Sequence, residues 1–276
     1  MDNQNNKTQI KKIYGKLLLI ILLLAFSIEY YVFVFEVILN CITPENFYYI
    51  IAILTIFHFL ILLFLLAFFS TMGVNPGNIP QNWEDHRGDN CKRYCTICKC
   101  AKPDRSHHCS ICNKCILNMD FHCLFMDNCI GFYNRKYYIQ SLLFASFLTI
   151  FVDITELYLE CNNILRLLQR RETTINGYFK IYFVVIWYLI NFTASIFITK
   201  SLISHINLVL INSTVVESFY TEEKALYKKF NLTQLENWEQ VFGKNKLFWF
   251  FPIPIKKGRP DGDGITWRTN DKKHNE

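Results

Sequence analysis

Long apolar runs, separated by short polar ones, dominate the chain. Residues 17–39 and 47–74 are the first two, and the second contains no Asp, Glu, Lys or Arg, with His58 its one imidazole. Two more follow: Tyr137–Val152, extending past Asp153, and Ile181–Thr199. A hydrocarbon core of about 30 Å is crossed by roughly 20 helical residues, so the four runs predict four membrane spans. The first run is too long for a secretory leader and is followed by no small-residue cleavage site, so it reads as a span. Helix two stops at "NPGNIP" (Asn75–Pro80), where two prolines and a glycine end helical geometry. The expected organisation is an N-terminal segment 1–16, spans one and two within 17–74, a polar loop 75–136, spans three and four within 137–211, and a tail 212–276. The predicted fold class is an all-α polytopic membrane protein. Four acidic residues fall inside these spans. Glu36 and Glu156 are expected near helix ends at the interface; Glu29 does not fit that reading, and a carboxylate at membrane depth needs a partner or a wet cavity.

Charge sets the orientation. The N-terminal segment carries four Lys or Arg, the central loop nine and the tail after residue 211 eleven, against four in the 161–180 loop and none in the 40–47 turn. This asymmetry predicts that both termini and the central loop face the cytosol. The net charge of +6 then marks the cytosolic face of a membrane and not a nucleic-acid partner, with basic side chains there able to meet anionic headgroups or a phosphorylated cofactor. The sequons at Asn6 and Asn231 would lie on the wrong side for glycosylation.

All but Cys41 and Cys161 of the eleven cysteines fall between Cys91 and Cys129. A reducing compartment points them to metal binding or catalysis. Cys95, Cys98, His108 and Cys115 recur fourteen residues on as Cys109, Cys112, His122 and Cys129, both sets spaced C-x2-C-x9-H-x6-C. Each offers three thiolates and one imidazole, a complete tetrahedral set for a structural zinc, and the two sets interleave along the chain. Metal binding should supply much of the folding energy of so polar a segment. A further step of fourteen from Cys109 reaches Cys123, but Met126 and Lys136 stand where the next ligands would be. Cys123 is therefore a cysteine in ligand-like surroundings with no metal to bind, close to a cationic site that favours the thiolate, and a candidate nucleophile. Cys91 and Cys100 fall outside the repeat.

"YCTICKCAKPDRSHHCSICNKCILNMDFHCLFMDNCIGFYNRKYY" resembles the cysteine-rich domain of the DHHC-type protein S-acyltransferases, the palmitoyltransferases. "NPG" at Asn75–Gly77 is similar to that family's Asp-Pro-Gly motif, "STVVESF" at Ser213–Phe219 to its Thr-Thr-x-Glu motif, and "ENWEQVFGKNKLFWFFP" at Glu236–Pro252 to its C-terminal motif. The resemblance implies transfer of a long acyl group, usually palmitoyl, from acyl-CoA through an acyl-Cys123 intermediate to cysteines of cytosolic or membrane proteins near the bilayer. It implies that His122 is a zinc ligand, that Asp120 orients the catalytic histidine, and that the acyl chain lies in a cavity between the spans. It also implies an endomembrane (ER or Golgi) or plasma-membrane setting.

One position departs from the family pattern. Phe121 stands where the family has the histidine that activates the cysteine, and phenylalanine can neither accept a proton nor orient one. General-base assistance is worth about 10²–10⁴-fold in rate. A thiol is the nucleophile that needs it least, being a few per cent ionised at pH 7. The alternative reading is therefore an impaired family member that binds acyl-CoA or clients as a membrane scaffold. His107, at the same place in the preceding repeat, or a partner subunit, are the candidates for a substitute base. The tail's "FWFFP" (Phe248–Pro252) is expected to anchor at an interface or core, and the residues from Lys256 on to be polar and mobile.

Overall fold

The computed structural model describes residues 2–86, 93–170, 175–219 and 228–270. Four long helices carry the apolar runs. Helix α1 spans Asp2–Tyr31 and continues as a wider helical turn, Val32–Ile38; α2 spans Phe47–Gly73, α3 Arg135–Arg170 and α4 Ile175–Leu210. Within them, Gln9–Ile38, Phe47–Gly73, Arg135–Leu159 and Val185–Leu210 are long and apolar enough to cross a membrane. The fourth differs from the sequence expectation. Its helix runs through Lys200, a long side chain that reaches out of an apolar run without ending it, and carries His205 on to Leu210.

The chain divides into two compact units. One comprises Ile21–Leu65 and Leu142–Ile203, the other Met1–Ile20, Leu66–Ser141 and Ser204–Glu276. The first is helical. Its core gathers Phe33, Val37, Ile38, Ile53, Phe57 and Leu148, and it encloses an apolar cavity of about 140 Å³ bordered by Phe26, Phe57, Phe64, Leu148 and Glu29. Glu29 faces the side chains of Asn191 and Trp187, and Asp153 faces Ser195, so these deep carboxylates have polar company. Glu156 lies near the end of the apolar stretch Arg135–Leu159, as expected, and is buried at 3% exposure.

The second unit collects every motif singled out in the sequence. Six three-residue strands form three antiparallel hairpins: β1 (Arg93–Cys95) with β2 (Cys100–Lys102), β3 (His107–Cys109) with β4 (Lys114–Ile116), and β5 (Phe121–Cys123) with β6 (Asn128–Ile130). Short helices α5 (Val215–Phe219) and α6 (Gln234–Phe242) follow α4. Thr233 caps α6 in a reciprocal capping box with Glu236, which explains the Asn231-Leu232-Thr233 triplet as a helix start.

Polar ties hold this unit together. The Asn75 side chain accepts the Gly77 N–H at 2.9 Å, a turn an aspartate would make equally well, and Gly77 takes φ +115°. Gly131 approaches Pro76 O so closely that a Cβ there would lie 2.7 Å from it, so no larger residue fits. Asn128 donates to the carbonyls of Thr71, Met72 and Val74 at the end of α2, and Asn134 to Thr71 and Cys129. Arg105 is fully buried. Its guanidinium meets Glu217 at 2.7 and 2.8 Å and Asn212 at 2.8 Å, and lies 4.5 Å from the Trp267 ring centroid. That last contact overturns the expectation of a mobile segment from Lys256: through residue 270 the tail is anchored, with Trp267 on Arg105 and the Gly258 carbonyl accepting from Lys136. The apolar Trp and the backbone carbonyl outweigh the polar composition. "FWFFP" is split: Ser70 donates to Pro252 O and Gln140 to Trp249 O, while Phe250 stays exposed.

Removing one partner of a buried ion pair strands the other charge, which costs about 3–5 kcal/mol. Glu217→Ala is therefore expected to lower the thermal unfolding midpoint of the protein in detergent sharply. The double change Arg105→Met with Glu217→Leu should recover much of that loss; equal midpoints for Glu217→Ala and wild type would refute the tie.

Candidate active site

The fourteen-residue repeat is a repeat of backbone as well as of ligands. Cys95, Cys109 and Cys123 each end the first strand of a hairpin. Lys99, Asn113 and Asp127, fourteen apart, each take a left-handed conformation, with φ of 52°, 53° and 43°. The Cys98 N–H reaches Cys95 Sγ at 3.3 Å and the Cys112 N–H reaches Cys109 Sγ at 3.3 Å. In the third hairpin the N–H groups of Met126 and Phe125 face Cys123 and pull its thiol down. Cys123 thus occupies a thiolate-cradling turn whose second cysteine is replaced by methionine.

Across β3–β4, His108 pairs with Cys115, and across β5–β6, His122 pairs with Cys129. This register brings each sequence-predicted set together. Cys95, Cys98, His108 and Cys115 form one cluster and Cys109, Cys112, His122 and Cys129 the other, with ligand atoms within 4.8 Å of one another. His108 Nδ1 stands 3.6, 3.2 and 3.9 Å from the sulfurs of Cys95, Cys98 and Cys115. His122 Nδ1 stands 3.7, 3.4 and 3.5 Å from those of Cys109, Cys112 and Cys129. A tetrahedral zinc with Zn–S about 2.3 Å and Zn–N about 2.0 Å requires N···S separations of about 3.5 Å, so both sets fit. The crowded thiols also drive one another apart: hydrogen bonding from Cys112 pulls Cys109 down, while Cys109 pushes Cys129 up. Such a set ionises fully only around a cation. Cys100 pairs with Cys95 across β1–β2 and belongs to neither set; Cys41 is buried and Cys161 exposed in the helical unit. Cys91 lies outside the described residues.

Strand β5 turns one face to the His122 cluster and the other to Cys123. Side chains alternate along a strand, so His122, turned toward its cysteines, leaves Phe121 and Cys123 on the opposite face. Cys123 is buried at 7% exposure, and burial pushes its thiol up against the opposing pull of the two N–H groups. The sequence expectation of an easily formed thiolate is thus met by a cradle and opposed by burial.

Asp120, immediately before β5, is wholly buried and many-partnered. Its Oδ2 lies 3.2 Å from Arg135 Nε and 3.6 Å from His205 Nδ1, and its Oδ1 accepts the Val215 N–H at 2.6 Å. Its backbone N–H bonds Ile130 O and its carbonyl accepts from Val216 N–H. Burial by itself would raise this carboxyl; the Arg135 charge, His205 and the Val215 N–H more than offset it and hold the group below the usual carboxylate range. Because Val215 binds through its backbone, valine in place of the family's second threonine leaves this tie intact. His107 sits on β3 opposite Ile116, in another hairpin. The histidine that meets Asp120 is His205, which sequence reasoning missed along with Arg135. Both sit at the ends of membrane-crossing helices, where an ionisable side chain is itself a signal.

The DHHC palmitoyltransferase family model matches residues 89–222. Among curated relatives, "Probable protein S-acyltransferase 12" of Arabidopsis thaliana is 28% identical over 229 residues, 78% of this chain and 76% of that protein. "Palmitoyltransferase ZDHHC15" of Rattus norvegicus is 27% identical over 194 residues, covering 68% of this chain and 54% of its own length. "Palmitoyltransferase ZDHHC20" of Bos taurus is 37% identical over 183 residues, covering 64% of this chain and 46% of its own. The family match falls on the hairpins and the 229-residue alignment with the Arabidopsis relative is longer than it, so over residues 89–222 this chain carries a DHHC palmitoyltransferase domain.

Proposed function

We propose that the protein is a protein S-acyltransferase of the membrane, with Cys123 as the group that carries the acyl chain. In the first half-reaction Cys123 Sγ, giving up its proton, bonds to the carbonyl carbon of a long-chain acyl-CoA, palmitoyl-CoA being the expected donor. The carbonyl–sulfur bond to CoA breaks, and CoA leaves as a thiol with a proton. In the second, a cysteine thiol of a target protein loses its proton and attacks acyl-Cys123, whose sulfur takes a proton back. The observation that carries this reading is Cys123 itself: a sulfur in a metal-knuckle turn, cradled by two N–H groups, belonging to neither cluster of four. Asp120 orients and stabilises the proton-handling machinery beside it. The relatives' names support turnover over the scaffold alternative that Phe121 raises.

Cys95, Cys98, His108 and Cys115 would hold one zinc and Cys109, Cys112, His122 and Cys129 a second, each supplying folding free energy to the hairpins. The charge asymmetry supports both termini and the hairpins lying on the cytosolic side, with target cysteines near an endomembrane or plasma-membrane surface. The apolar cavity in the helical unit suits part of a hydrocarbon chain.

Two outcomes are expected. Purified protein given an alkyne-tagged palmitoyl-CoA should gain a hydroxylamine-sensitive label that maps to Cys123 and is lost in Cys123→Ser; a label that persists in that variant would refute the intermediate. Elemental analysis should return two zinc per chain, and stripping them with a strong chelator should abolish labelling and render Cys109 and Cys112 alkylatable. One zinc per chain would refute the interleaved pairing.

A further inference from the structure

Phe121 leaves the site without an imidazole on β5, yet an imidazole is present. His205 comes from the last turns of α4, eight residues before Ser213, and its side chain is buried. Two aromatic rings, themselves in contact, pack against its imidazole. Phe121 lies over it, tilted by 33°, with ring centroids 5.5 Å apart. Tyr138 from α3 meets His205 edge-on at 4.9 Å and 79°, and meets Phe121 edge-on at 5.2 Å and 77°. The third neighbour is polar: Asp120 Oδ2, 3.6 Å from His205 Nδ1. The ionisable groups around the ring are thus Asp120 from the β4–β5 connection, Tyr138 from α3, and Arg135 behind Asp120.

This arrangement assigns the ring's two nitrogens different roles. A carboxylate at Nδ1 favours the tautomer with its proton there and leaves Nε2 bearing a lone pair. The position of the ring matters as much. Phe121 and Cys123 are two apart on one strand, so they share a face and stand about 6.6 Å apart along it. A ring packed on Phe121 is therefore brought to the strand, and to the face of it, from which Cys123 projects; proton transfer then needs Nε2 to meet Cys123 Sγ directly or through one water. Phenylalanine at 121 then has a reason: it is the flat surface that seats an imidazole delivered from another element.

Resting on the acyl-Cys123 reading above, we propose that His205, oriented by Asp120 and packed on Phe121, is the acid–base group of this enzyme in place of a histidine on β5. Nε2 takes the proton from Cys123 Sγ as the new carbon–sulfur bond forms, and gives it to the CoA sulfur as that thioester breaks. In the second half-reaction the same nitrogen takes the proton of the target cysteine and returns it to Cys123.

The test uses the full-length, zinc-loaded protein in detergent, with alkyne-tagged palmitoyl-CoA and a cysteine peptide as acceptor. His205→Ala is expected to slow loading of Cys123 and transfer to the peptide by about 10²-fold or more, the low end of what a general base contributes. Added imidazole should restore part of the rate in His205→Ala and none in Cys123→Ser. Phe121→His, introduced into His205→Ala, should also restore it. His205→Gln keeps a donor toward Asp120 and similar bulk but cannot cycle a proton, so it should retain zinc and the thermal midpoint while remaining as slow as His205→Ala. Wild-type rates in His205→Gln would overturn the proposal, as would a slow His205→Ala that neither imidazole nor Phe121→His rescues. The two readings fail separately: label that survives Cys123→Ser sinks the acyl-Cys123 intermediate, whereas Cys123-dependent label at full rate without His205 sinks only the present inference.

Discussion

Alternation of side chains along a three-residue strand is the constraint on which this protein's chemistry depends. His122 stands 3.4 to 3.7 Å from three cysteine sulfurs, which fixes one face of β5 toward a metal set. A strand cannot turn one residue without turning its neighbours the other way, so Phe121 and Cys123 are committed to the opposite face. Slipping the pairing of β5 with β6 by one residue would exchange them, and would also break the His122–Cys129 pairing. The cluster therefore does more than hold a polar segment together. It sets which sulfur stays out of the metal site and which way that sulfur projects.

Around this strand, four separated motifs meet through buried polar contacts. Asp120 joins the start of β5 to α3 through Arg135, to α4 through His205, and to α5 through the Val215 N–H. Arg105 joins the hairpins to Glu217, Asn212 and the tail residue Trp267. Charges buried at this depth are costly unless fully satisfied, and satisfying them requires all the partners at once. Such a network defines one arrangement of the segments more strictly than apolar packing would. It also accounts for two departures from the family pattern: Asn75 keeps the acceptor that its turn requires, and Val215 contributes only backbone.

Much of this was legible in the sequence because it depends on spacing. Four spans follow from apolar run length, and the two ligand sets from an offset of fourteen that the backbone repeats at Lys99, Asn113 and Asp127. What escaped depends on where distant segments meet. His205 lies beyond Lys200, where a reading by hydropathy ends the last span, although the helix itself carries on to Leu210. Its meaning appears only once α4 is placed beside β5. The order of the tail past Lys256 was hidden for a related reason: a polar stretch is held by Trp267 on a buried arginine and by Lys136 on the Gly258 carbonyl, contacts with no local signature.

The most direct test of the central constraint is the identity of the atoms around the metal. Zinc-edge X-ray absorption on the purified protein should fit an average environment of three sulfurs at about 2.3 Å and one nitrogen at about 2.0 Å, unchanged in Cys123→Ser. An environment richer in sulfur, from which Cys123→Ser removes a scatterer, would mean that Cys123 is a ligand, and that β5 faces the other way.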